Sequence, residues 1–125
     1  MKILSVYPTL PTTDIARSKV FYANILGLSV ARETEDDLVL KVGEHAKLYI
    51  YKRPLSHAEH TLASFEVEDL EKTVDELIAK GLVFEQYDMT GIKTNEKGIA
   101  EMDGMKGAWF KDPDGNILAL DEKAK

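Results

Sequence analysis

Apolar and polar positions change period several times along this chain, and each change marks an element. Residues 3–12, Ile-Leu-Ser-Val-Tyr-Pro-Thr-Leu-Pro-Thr, are rich in strand formers; Pro8 and Pro11 remove ladder donors, which predicts a first strand at a sheet edge. Thr13-Asp14 then opens a helix with Asp14 as N-cap. Ile15, Ser18, Phe21, Tyr22, Ile25 and Leu26 fall on one face of it, and Gly27 stops it. Residues 28–32 and 38–42 read as strands around the acidic turn 33–37, a solvated hairpin tip rather than a cation site. Residues 47–52 alternate, with Lys47, Tyr49 and Tyr51 on one side and Leu48, Ile50 and Lys52 on the other.

After a connection at residues 54–60 the same grammar restarts. Residues 61–67 predict a strand, and Glu68-Asp69 opens a helix that presents Leu70, Val74, Leu77 and Ile78 on one face. Gly81 stops that helix, and residues 82–87 begin a further strand. The stretches Asp14 to Gly27-Leu28 and Asp69 to Gly81-Leu82 differ by one residue in helix length, so the chain reads as a duplicated unit of one strand, one helix and three strands. Residues 88–98 have two glycines and little periodicity, which predicts a loop or irregular strand, and 99–102 and 105–110 are short strands. Last comes Ala108-Trp109-Phe110-Lys111-Asp112-Pro113-Asp114-Gly115-Asn116-Ile117-Leu118-Ala119-Leu120. Here Asp112, Pro113 and Gly115 suit positions i, i+1 and i+3 of a type I turn between two strands. The calcium-loop reading of Asp112-x-Asp114-Gly115 fails for want of the twelve-residue spacing and its closing Glu.

Composition narrows the function classes. At 125 residues, 44% hydrophobic and 30% charged, the chain is of ordinary globular make-up and of a size for one domain. A net charge of −6 argues against a nucleic-acid partner, which would need Lys and Arg against phosphates. With no cysteine, disulfides, thiolate metal sites and a cysteine nucleophile are excluded. The residues before Pro8 are too few for a signal peptide and no apolar run has membrane-spanning length, so the expected location is cytoplasmic, with no membrane partner. No serine sits in a Gly-x-Ser-x-Gly elbow, and no phosphate-binding glycine loop occurs.

Two motifs carry a family resemblance. The aromatic strand with Asp112-Pro113-Asp114-Gly115-Asn116 and the short apolar strand after it is one. Leu10-x-x-x-Asp14-Ile15-x-x-Ser18-x-x-Phe21-Tyr22-x-x-Ile25-Leu26-Gly27-Leu28 is the other. Together they resemble the vicinal-oxygen-chelate superfamily of glyoxalases, bleomycin-resistance proteins and extradiol dioxygenases. The resemblance implies an α+β fold over residues 1–125. Two βαβββ modules, at residues 1–54 and 60–125, would form curved mixed sheets that make a cup, with the helices outside. It also implies a homodimer.

Metal-dependent members take ligands from cup-facing positions on the first and last strand of each module. Carried over by motif, these positions are Tyr7, seven before Asp14; Tyr49; Leu62, seven before Asp69; and Ala119, four after Gly115. Leucine and alanine offer no donor, and neutral phenols bind hard cations poorly. His60 and Asp121 keep the right strand parity but shift in opposite directions, about 13 Å apart if the strands are parallel. His57-x-x-His60 lies in the connection and reads as solvent-facing.

The expectation is therefore no metal and no cofactor, with a small organic ligand in an aromatic-lined cup of the bleomycin-resistance type. Its walls are Tyr7, Tyr49, Tyr51, Leu62, Ser64, Trp109, Ile117 and Ala119, although parity alone leaves open whether Trp109 or Phe110 faces inward. Two alternatives stand beside it. One is a lyase, isomerase or dioxygenase with atypical ligands or a metal-free acid-base pair such as Tyr49 or His60. The other is an interaction subunit whose cup is filled.

Overall fold

Thr12 and Asp14 set the start of the first helix. The Thr12 hydroxyl accepts from the Asp14 amide (3.1 Å) and the Ser18 hydroxyl (2.7 Å), and the Asp14 carboxylate accepts from the Arg17 amide (3.1 Å). In the computed structural model, which describes residues 1–123, this cap launches α1 (Ile15–Lys19). The helix widens into a π-helical stretch over Val20–Ile25, where the Leu26 amide reaches the Phe21 carbonyl at 3.1 Å. Both adjacent aromatics, Phe21 and Tyr22, are buried and meet edge to face.

The chain separates into two compact units, Met1–His57 and a second beginning at Ala58. In the first, β1 (Thr9–Thr12), β2 (Ser29–Glu33), β3 (Asp37–Val42) and β4 (Ala46–Lys52) form a mixed sheet in the order β1-β4-β3-β2, with β1 parallel to β4. Leu38, Leu40, Leu48 and Ile50 are buried on the face that α1 packs against. Each contributes about 1.5–3 kcal/mol of burial. Asp37, Val39, Tyr49 and Tyr51 alternate with them and stay half-exposed on the other face.

The second unit repeats this topology. β5 (Thr61–Glu66) leads to α2 (Leu70–Ala79), capped by the Asp69 carboxylate on the Lys72 amide at 3.1 Å. A small hairpin follows, β6 (Asp88–Met89) with β7 (Ile92–Lys93), and then β8 (Ile99–Met102), β9 (Met105–Lys111) and β10 (Ile117–Glu122). The main sheet runs β5-β10-β9-β8, with β5 parallel to β10, so both units are βαβββ and the α+β class holds with two curved mixed sheets. The Asp112 turn is a hydrogen-bonded knot: its carbonyl accepts from the Gly115 amide (3.0 Å), and its carboxylate from the Asp114 amide (2.9 Å), the Asn116 amide (2.9 Å) and the Asn116 side-chain amide (2.8 Å).

Three expectations change. The first strand begins at Thr9, and Ile3, Leu4 and Val6 stand exposed ahead of it. Residues 82–87 do not form a strand, because β8 already occupies the β9 edge as far as Ala108. Only the Phe84 to Phe110 bridge and the Glu85 amide on the Trp109 carbonyl (2.8 Å) remain for them. The 88–98 stretch, expected as a loop or irregular strand, contains a short hairpin. Residues 124 and 125 of the expected second module lie outside the described residues. Among the described residues no helix is long and apolar enough to cross a membrane.

Candidate functional site

On the open face of the first unit the alternation of β4 brings Tyr49 and Tyr51 to one side, their rings stacked at 6.0 Å and 15°. Tyr7 meets Tyr49 at 6.3 Å and 64°, and Lys47 Nζ lies 4.2 Å from the Tyr7 ring centroid, a cation–π contact. Tyr49 donates its phenol proton to Asp37 Oδ2 at 3.0 Å, and the Thr34 hydroxyl donates to Oδ1 at 2.7 Å. The Thr34 hydroxyl, then the Tyr49 phenol and Arg32, hold the Asp37 carboxyl below the ordinary aspartate range despite its partial burial. The same bond to Asp37, with burial, pushes the Tyr49 phenol up, so Tyr49 stays protonated.

In the second unit β9 resolves the choice left by parity. Phe110 is buried against Phe84 and the α2 side, whereas Trp109 is half-exposed on the opposite, open face. Gly107, two residues back on that face, makes room: a Cβ there would come within 3.4 Å of the indole ring. Trp109 meets Tyr87 edge to face at 5.5 Å. Burial first, and then Glu85, raises the Tyr87 phenol and keeps it neutral. Glu59, His60, Thr61, Tyr87, Met89, Ile92, Trp109 and Ile117 line an open pocket of about 250 Å³. Larger recesses elsewhere, such as the 850 Å³ one beside Asp14 and Glu33–Asp36, are lined mostly by charged and polar groups.

The sequence-derived residues distribute unevenly over these features. Trp109 and Ile117 line the aromatic pocket. Ala119 pairs with Ser64 on one side and Trp109 on the other, which makes a row across the sheet, with Ser64 exposed and Ala119 buried. Leu62 falls where the β5–β10 register shifts and is half-buried. Tyr7, Tyr49 and Tyr51 form the ladder of the first unit. His60, placed by sequence in a solvent-facing connection, is indeed exposed but also lines the pocket. Tyr87, Met89 and Ile92 were missed; the one signal for them was apolar Met89 and Ile92 flanking Thr90-Gly91, a hairpin pattern.

The family model of the Glyoxalase/Bleomycin resistance protein/Dioxygenase superfamily matches residues 5–120. The chain belongs to this superfamily. Among solved structures, SMU.1112c is 30% identical with a TM-score of 0.71, over 97% of this chain and 100% of that one. UcmS2 shares the fold at 20% identity and a TM-score of 0.73, over 97% and 98%. Lactoylglutathione lyase from Agrobacterium tumefaciens does so at 16% and 0.71, over 95% and 92%. No curated protein matches the sequence.

The metal positions that the resemblance implies can be set against the donors present. Leu62 and Ala119 have none, and the Tyr49 phenol proton is committed to Asp37, which disfavours the phenolate a cation needs. Thr61 pairs with Ile117 and Glu66 with Asp121, so His60 and Asp121 stand at opposite ends of β5. Among the described residues no three His, Cys, Asp or Glu side chains are grouped to hold a metal. The donor set does not fit a glyoxalase-type divalent ion.

Proposed function

We propose that this superfamily member binds a small, flat, partly apolar organic molecule against Trp109, and holds it without a metal ion. The observation that carries this reading is the pocket of the second unit. A half-exposed indole, a neutral phenol and three aliphatic or thioether side chains surround about 250 Å³. The recess is open to solvent, and its volume lies between the about 150 Å³ of an apolar cavity that holds benzene and the about 300–1,000 Å³ of drug-sized sites, a size suited to a ligand of one or two rings. The Tyr7, Tyr49 and Tyr51 ladder offers the same kind of aromatic surface on the first unit, and Leu62, Ser64 and Ala119 belong to the proposed contacts of the second.

The proposal includes a homodimer, supported by Ile3, Leu4 and Val6, which are 72%, 85% and 91% exposed. Such exposed apolar side chains offer area that an association would bury.

A thermal-shift screen of chelator-treated protein against planar aromatics tests the function. A ligand at about a hundred times its dissociation constant should stabilise by about 2.7 kcal/mol, and Trp109→Ala should remove the shift. Stoichiometric zinc, nickel, manganese or iron in natively purified protein, with binding lost on its removal, would overturn the proposal in favour of catalysis.

A further inference from the structure

The polar edge of the Trp109 pocket has a direction. His60 Nδ1 lies 3.1 Å from the Thr61 carbonyl oxygen. A carbonyl oxygen only accepts, so Nδ1 carries the proton. In the tautomer that keeps its single N–H at Nδ1, Nε2 is the acceptor. Nε2 has no hydrogen-bond partner among the described residues, and the ring is part of the pocket wall. Glu59, which also lines the pocket, adds a second acceptor.

We infer that the pocket selects flat aromatic molecules with an O–H or N–H donor on the ring edge, the donor directed to His60 Nε2 while the ring lies against Trp109 and Tyr87. This rests on the binding reading above and specifies the ligand class. A ring whose edge bears only a methyl ether brings no proton to Nε2 and covers that lone pair without replacing the water it displaces. Such a mismatch at a polar edge discriminates more sharply than an added methyl group does through apolar contact. Because His60 is exposed, the discrimination is that of one ordinary hydrogen bond, about five-fold.

The test uses the full chain and two neutral probes of nearly the same shape, 2-naphthol and 2-methoxynaphthalene, titrated calorimetrically. Apolar contact alone favours the methoxy compound, which has the extra carbon. The inference expects 2-naphthol to bind about five-fold more tightly. His60→Ala should bring the ratio to one or below, and His60→Gln, whose side-chain oxygen accepts, should retain part of the preference. Equal affinities in the parent, or a preference that survives His60→Ala, would overturn the inference while leaving the aromatic pocket standing. If neither probe binds, the binding reading falls and this inference falls with it.

Discussion

Asp112 shows how one side chain fixes a local structure. Its buried carboxylate gathers two backbone amides and one side-chain amide. Asp112→Ala leaves those donors without it and should destabilise the fold by about 2–4 kcal/mol in chemical denaturation. Asp112→Asn keeps the backbone acceptor and should cost less. Asp37 gives a pH-dependent counterpart. Its pKa is lower folded than unfolded, so its contribution is fully present above the ordinary aspartate value of about 3.9. That contribution is lost as pH falls through the depressed folded value. Asp37→Asn protein should therefore lose less stability than the parent between about pH 5 and pH 2, as followed by denaturant midpoints. The turn was fully legible in the sequence, because Asp-Pro-Asp-Gly states its own geometry. The pairing of Tyr49 with Asp37 was not, since cross-strand register decides it.

At the scale of elements, both helices start in the same way, with an aspartate on the amide three residues ahead. Asp69→Ala should cost about 1 kcal/mol, seen as a fall in Tm of roughly 3–5 °C. Helices and caps were readable because their signals are local. Residues 82–87 misled because their strand-like composition says nothing of which sheet edge is available, and β8 had taken most of it. Residues 3–8 misled similarly: they have strand propensity, but β1 pairs only from Thr9 onward. The hairpin β6–β7 matters most for the site, since it carries Met89 and Ile92 into the pocket wall. Replacing Met89 and Ile92 together with serine should weaken aromatic binding while leaving the β5-β10-β9-β8 sheet intact, measured by calorimetry and circular dichroism.

For the molecule as a whole, each unit repeats a βαβββ sheet whose helix-covered face is apolar and whose other face carries half-exposed aromatics. That architecture was legible from the repeated Asp-to-Gly helix spacing. The site was legible only in part. Strand parity with the family register supplied Ile117 and left Trp109 and Phe110 as alternatives, while Tyr87 and the hairpin reach the pocket through long-range packing that no local pattern encodes. If the exposed Ile3, Leu4 and Val6 serve association, sedimentation should find a dimer, and changing all three to serine should shift it toward monomer.

The resemblance implies two metal-ligand positions at Leu62 and Ala119, neither of which carries a donor atom. The most direct test follows the indole N–H resonance of Trp109, the chain's single tryptophan, by NMR while chelator-treated protein is titrated with 2-naphthol. Metal-free binding predicts a saturable shift of that resonance, unchanged when zinc or nickel is restored. A resonance that stays still until metal is added back would contradict it.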